Sequence, residues 1–165
     1  MSKRLLLDAG NTRLKWAVVE GGLWREQGGA AYTDSPALAP LLEAGIDCYI
    51  ASVAREQHEN QISALLAPFA ITPRWLTAEA HQLGVRSSYA NPQQLGVDRW
   101  MGLLAARQRT QEPTLVVSVG TAMTVDALSA DGVFLGGLIV PGVSLMQQAL
   151  RQGTAGVAEV TGTWQ

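Results

Sequence analysis

The sequence predicts an α/β fold made of a duplicated unit whose second copy is incomplete. Three observations point there. Short apolar runs alternate with amphipathic helical segments along most of the chain. Hydrophobic residues make up 47% and charged residues 16% of the 165 positions, enough apolar material for a core and unlike a disordered chain. A shift of 110 positions lays Leu5-Leu6-Leu7-Asp8-Ala9-Gly10-Asn11-Thr12 on Leu115-Val116-Val117-Ser118-Val119-Gly120-Thr121-Ala122. Both copies then run through a strand, a Gly turn, a third strand and a helix.

Leu5 to Leu7 is an apolar run halted by Asp8-Ala9-Gly10-Asn11, a buried strand entering a tight loop. Leu14 to Val19 fits a second strand, Gly21-Gly22 a turn, and a third strand runs through Trp24 toward Tyr32. A helix is then expected, capped by Ser35, with Pro36 in its first turn, Leu38, Leu41 and Leu42 on one face, and Gly45 after its end. Ile46 to Val53 is a buried strand. Ile62, Leu65, Leu66 and Phe69 mark a second helix, which Pro68 and Pro73 break.

After Trp75 the chain is polar and turn-rich through Asn91-Pro92. A helix follows from about Leu95 to Arg109, with Trp100, Leu103 and Leu104 inward. Strands are expected at Thr114 to Val119, Met123 to Leu128 and Val133 to Val140, then a helix from Gly142 to Arg151. The tail from Gly153 carries little periodicity. The first copy thus holds a strand, a helix and another strand for which the second has no counterpart. That divides the chain into a first domain at 1–110 and half of its twin at 111–165.

Several function classes fall away. The net charge is −2 with no Lys/Arg cluster, which weighs against a nucleic-acid partner. A single cysteine, Cys48, excludes an internal disulfide, and one cysteine with two histidines does not build a usual zinc site. Asp8 and Asn11 interrupt any signal-peptide core, and Val133 to Val140 is too short for a bilayer. The expected compartment is the cytoplasm, with no membrane partner. His58, in a polar helical segment, is expected to be solvated, and Cys48 to be a small core residue.

Three loops carry candidate chemistry. In Asp8-Ala9-Gly10-Asn11-Thr12, Gly10 allows close backbone approach to a ligand, and the following N–H groups with the Asn11 and Thr12 side chains can donate to phosphate oxygens. Asp8 can hold Mg²⁺, which takes a carboxylate with waters and substrate phosphates, and Lys15 can supply counter-charge. The structural alternative is an Asx-type hairpin turn. In Gly120-Thr121-Ala122-Met123-Thr124, small residues and hydroxyls occupy the matching place, or simply form an edge hairpin. Two such loops across a cleft would grip a polyphosphate from both sides, an arrangement suited to phosphoryl transfer. In Gly96-Val97-Asp98-Arg99, Asp98 can accept a proton from a substrate hydroxyl and Arg99 can fork onto a carboxylate. A surface ion pair or a first-turn carboxylate is the alternative.

Together these residues resemble the type III pantothenate kinases, including the Bvg accessory factor relatives, over essentially the whole chain. That family belongs to the actin-like ATPase superfamily of sugar kinases, Hsp70 and actin (ASKHA), with two ribonuclease-H-like domains around an ATP cleft. The resemblance implies phosphorylation of pantothenate, the first step of coenzyme A biosynthesis. By it, Asp8-Ala9-Gly10-Asn11-Thr12-Arg13-Leu14-Lys15 is the first phosphate motif, with Asp8 serving Mg²⁺, and Gly120-Thr121 places Thr121 on ATP. Tyr89 and Gly96-Val97-Asp98-Arg99 become the pantothenate segment, with Asp98 as the catalytic proton acceptor. Gly136-Gly137 and Pro141-Gly142 match the stretch leading to the next helix.

Two departures accompany the match. Many members carry Asp where this chain has Ser118, a residue of a K⁺ or NH₄⁺ site, and a neutral hydroxyl is a poorer cation ligand. Family members also continue beyond residue 165 with the rest of the second domain and much of a homodimer interface. Without its fourth strand, Thr114 to Val119 is expected to present an open edge, with lower stability or an oligomer contact covering it. Two rival readings remain at this stage: a non-catalytic interaction or regulatory protein that keeps the fold, and a ribonuclease-H-like nuclease using Asp8 and Asp126.

Overall fold

A computed structural model describes residues 3–154. The first sheet is built from β1 (Lys3–Ala9), β2 (Arg13–Glu20), β3 (Leu23–Ala31), β4 (Asp47–Ser52) and β5 (Arg74–Trp75), in the order β3-β2-β1-β4-β5. β1 is antiparallel to β2 and parallel to β4. Alternation decides its faces: Leu5, Leu7 and Ala9 are buried on one side, while Leu6 and Asp8 point to the other. Helix α1 (Glu56–Leu66) lays Ile62 and Leu66 into the same core as Leu5, Leu7, Leu14 and Ile50. Cys48 is in that core, as expected.

The segment expected to be a helix capped by Ser35 is instead a 3-10 helix over Tyr32–Leu41. Pro40, beyond the first turn of such a helix, lacks the N–H that an α-helical ladder requires there. Ser35 caps nothing; it is buried, and its hydroxyl accepts from Gln61 Nε2 at 3.1 Å.

The second sheet holds β6 (His81–Gln82), β7 (Val85–Ser87), β8 (Thr114–Val119), β9 (Ala122–Leu128) and β10 (Val133–Pro141), in the order β6-β7-β10-β9-β8. Its β10-β9-β8 part repeats β3-β2-β1. The repeat is not perfect at the turn. Ala9↔Leu14 closes the first hairpin and Val119↔Met123 the second, so the second loop is one residue shorter. Helix α2 (Val97–Arg109) covers this sheet, packing Trp100, Leu103 and Leu104 with Val85, Leu128 and Phe134. The Trp100 indole donates to Gln82 Oε1 at 3.0 Å.

Division by repeat and division by packing therefore differ. β6, β7 and α2 precede residue 111, yet they belong to the second sheet and its core. β5, β6 and β7 are two or three residues long, too short to show alternation in the sequence.

Strand β8 ends its sheet, paired with β9 alone among the described residues. Leu115, Val117 and Val119, the repeat partners of buried Leu5, Leu7 and Ala9, are 66%, 55% and 68% exposed. The expected last helix forms as α3 (Val143–Gly153), with Val143, Leu145, Met146 and Leu150 exposed. Most of the aperiodic tail lies outside the described residues. No helix among them is long and apolar enough to cross a membrane.

Candidate functional site

Each glycine loop leaves the end of the first strand of its repeat, β1 or β8, and the two loops meet. Thr12 Oγ1 and Thr121 Oγ1 share a hydrogen bond at 2.9 Å. Beneath them opens a cleft of about 520 Å³, lined by Asp8, Gly10, Asn11, Thr12, Arg13 and Lys15 from one side and Ser118 to Ala122 with Thr124 from the other. That volume suits a small-molecule ligand. Asp98, Ala51, Val53 and Met101 complete the lining.

Loop 1 is held from behind. Gly10 N–H donates to the Arg13 carbonyl at 3.1 Å, and Val53 N–H to the Ala9 carbonyl at 3.0 Å. The Tyr32 hydroxyl donates to the Gly10 carbonyl at 2.6 Å. Burial, with the negative charge of Asp8 and Glu59 nearby, pushes the Tyr32 phenol up to about 12, so it stays a donor. His58 corrects the expectation of a solvated side chain: it stacks on Tyr32 with ring centroids 3.7 Å apart and planes within 7°. Loop 2 is braced by Gly142, whose N–H donates to the Thr121 carbonyl at 2.9 Å. A side chain at Gly142 would collide with the carbonyls of Gly120 and Thr121.

Four charged residues line the cleft: Asp8, Arg13, Lys15 and Asp98. Lys15 Nζ donates to Asp8 Oδ2 at 2.9 Å across the β1–β2 pair, and both side chains are substantially exposed. Such a pair adds little stability, but it places a cation and a carboxylate where the loops converge. Asp98 sits in the first turn of α2, its Oδ1 accepting the Arg99 N–H at 2.8 Å. Gly96 makes room for it, since a Cβ there would stand 2.6 Å from Asp98 Oδ1.

Not every expected site residue faces the cleft. Ala9 and Leu14 are fully buried in the first core, so only their backbone is available to a ligand. The Arg13 guanidinium donates to the Gly29 carbonyl at 2.9 Å. Arg99 does fork onto a carboxylate, but an internal one. Its Nε lies 3.1 Å from both oxygens of Asp126, and Nη2 donates to Asp126 Oδ1. The two side chains are 8% and 1% exposed. This bond, above all, holds the Arg99 guanidinium higher than its ordinary range. Tyr89 packs beside it on Phe134, ring centroids 5.3 Å apart. Asp98 lines the cleft, whereas the side chains of Tyr89 and Arg99 pack toward the second core.

Buried and engaged by Arg99, Asp126 is not free to share a metal with Asp8, and the nuclease reading loses its second ligand. Its sequence signal was Gly137, opposite it on β10, where a side chain would run into the carboxylate. Tyr32 and His58 carried no local signal of a place near the site, whereas Thr124 belongs to the hydroxyl-bearing loop that the sequence singles out.

A larger cavity of about 1050 Å³ adjoins the cleft through Asp8, Lys15, Ala51 and Met101. It lies between the first sheet, through Leu6, Trp16, Trp24 and Tyr49, and Met101 and Ala105 of α2, and lacks the glycine loops.

Two related sheets, each presenting a glycine hairpin to a shared cleft, define an actin-like ATPase fold. Solved structures agree on that fold: a Baf-family protein from Campylobacter jejuni (TM-score 0.56, 17% identity, 91% of this chain and 60% of that one) and the ethanolamine utilization protein EutJ from Carboxydothermus hydrogenoformans (TM-score 0.51, 12% identity, 93% and 57%). The chain belongs to the type III pantothenate kinase family, whose sequence profile matches residues 4–164. It is 59% identical over 162 residues to a type III pantothenate kinase of Thiobacillus denitrificans and 47% identical over 158 residues to one of Nitrosomonas eutropha. These alignments cover 98% and 92% of this chain, which spans 66% and 60% of those two proteins.

Proposed function

We propose that this chain carries the ATP and acceptor sites of a pantothenate kinase, transferring the γ-phosphoryl group of ATP to the pantothenate hydroxyl. The observation that carries the reading is the meeting of both glycine loops, through Thr12 and Thr121, over a cleft that also contains Asp98. Phosphoryl transfer asks mainly for positioning and charge neutralisation. The loop N–H groups with the Asn11, Thr12 and Thr121 side chains hold phosphate oxygens, and Lys15 neutralises charge. Asp98 accepts the proton of the attacking hydroxyl, working by geometry at its exposed place in the cleft.

The donor set fits Mg²⁺, which binds through one or two carboxylates plus substrate phosphates. Asp8 would hold it, and when bound it would neutralise charge on the phosphoryl oxygens. At Ser118 the side-chain donors are two hydroxyls, its own and that of Thr124 opposite, with no carboxylate. A K⁺ or NH₄⁺ ion there would be weakly held.

The substrate segment would act in two parts, with Asp98 on the acceptor hydroxyl and Tyr89, Gly96, Val97 and Arg99 shaping the wall behind it. A cytoplasmic enzyme pairing with a second copy completes the reading, with neither nucleic acid nor membrane as partner. The rival reading is a non-catalytic interaction protein that keeps the fold.

The test is ADP release from MgATP with and without pantothenate, in K⁺, NH₄⁺ and Na⁺ buffers, for wild type and Asp98→Asn. The kinase reading expects pantothenate-dependent release that vanishes in Asp98→Asn while nucleotide binding persists. Loss of nucleotide binding in that variant would make Asp98 structural, and absence of release in the wild type would favour the rival.

A further inference from the structure

We propose that the Thr124 hydroxyl is a contact for the transferred phosphoryl group. This deepens the kinase reading and rests on it. Thr124 lies on β9, three residues beyond Thr121 of loop 2, and is among the residues that line the cleft. It is 8% exposed, yet its Oγ1 has no hydrogen-bond partner among the described residues. A buried hydroxyl without a partner is costly, and valine would fill the same space without that cost. The hydroxyl thus marks a place where the ligand-free protein keeps a donor in reserve.

Its surroundings say what it would meet. Thr124 faces Ser118 directly across the β8–β9 pair, so both hydroxyls stand on one face of the sheet. Near the equivalent place on the first sheet, Asp8 faces Lys15, joined at 2.9 Å. The cleft is therefore walled by two cross-strand pairs, one charged and one of hydroxyls. Of the nearby carboxylates, Asp126, two residues along β9, is held by Arg99, and Asp98 is assigned to the acceptor hydroxyl. An anionic oxygen delivered between the two loops matches the orphan donor. Of the groups in this reaction, the γ-phosphoryl brings such oxygens and gains most from a fixed donor as charge shifts onto them.

The experiment compares wild type, Thr124→Val and Thr124→Ser. Melting temperatures are measured ligand-free, with MgADP, with the magnesium complex of the non-hydrolysable analogue AMPPNP, and with pantothenate, alongside turnover. Ligand-free Thr124→Val is expected to melt about 2–4 °C higher than wild type, because it sheds an unpaired buried hydroxyl. Its MgADP shift should match wild type, while the extra stabilisation by the AMPPNP complex shrinks. The value of kcat should fall about tenfold or more at nearly unchanged pantothenate KM, and Thr124→Ser should restore all of these.

A lower melting temperature for Thr124→Val would show that the hydroxyl is structurally satisfied and would overturn the proposal. So would an AMPPNP shift equal to wild type. A loss confined to the pantothenate shift would move the contact to the acceptor and overturn the phosphoryl assignment. The failure of the kinase reading looks different: wild type itself would show neither a nucleotide shift nor ADP release, and this proposal would fall with it.

Discussion

Thr12 and Thr121, 109 positions apart in the chain, share a hydrogen bond between their hydroxyls at 2.9 Å. Each belongs to the glycine loop of a different sheet, so this bond is where the duplicated halves touch over the cleft. Either oxygen can donate. In the proposed kinase reading, a phosphate oxygen entering between the loops would compete for the same hydrogens, and the bond would be a closed form of the phosphate grip.

Thr12→Val should therefore affect binding more than stability. The bond is exposed, and its loss should cost no more than about 1 kcal/mol. MgATP affinity should fall about three- to tenfold, since one donor of the grip is gone. Isothermal titration with the AMPPNP complex, set beside urea unfolding, checks both halves. Equal losses in both would reduce the bond to a structural strut.

The Arg99–Asp126 pair makes the opposite prediction. Removing one partner strands a buried charge, so Asp126→Ala should destabilise the protein by about 3–5 kcal/mol. Replacing both, as Arg99→Met with Asp126→Leu, should recover much of that loss, because a packed apolar pair avoids the desolvation of two charges. Urea unfolding of the single and double variants decides it. Additive losses would mean that the two side chains are not coupled.

The pH dependence falls on Tyr32. Its phenol is raised to about 12 in the folded chain, chiefly by burial and then by Asp8 and Glu59. The neutral form is the one that fits, so this contribution is whole below pH 10 and is lost as the pH climbs through 12. The loss is on the order of 2–3 kcal/mol. Tyr32→Phe cannot ionise. It should be less stable than wild type at pH 8, by about 1 kcal/mol for the bond to Gly10, and should lose less between pH 10 and 12. Parallel stability curves for the two proteins would show that Tyr32 is not the group responsible.

Much of the architecture was legible because burial leaves a period in the chain. The strand Leu5 to Leu7, the helix with Trp100, Leu103 and Leu104, and the duplication itself all followed from apolar spacing and from two glycine loops. Where local rules conflicted, the expectation failed. Pro40 interrupted a helix-like apolar pattern, which forms a 3-10 segment. β6 and β7 were too short to leave a pattern, so packing drew residues assigned to the first repeat onto the second sheet.

The site divides in the same way. Asp8, Lys15, Thr12, Thr121 and Asp98 could be picked from the sequence because loop and turn chemistry is local, and all five line or bridge the cleft. What Arg99 does could not be. Its partner Asp126 lies 27 positions away on another element, and only the register of β9 against α2 and β10 brings them together.

By itself, then, the sequence determined most of the longer strands and helices, that the unit is repeated, and which loops carry the small and hydroxyl residues of the proposed phosphate grip. Backbone propensity, side-chain period and glycine placement are properties of neighbouring residues. Tertiary structure alone decided that Arg99 turns inward, that His58 stacks on Tyr32, and that the Thr124 hydroxyl stands buried without a partner in the cleft. Those outcomes depend on which distant groups share one desolvated space, and burial sets the cost of leaving any of them unpaired.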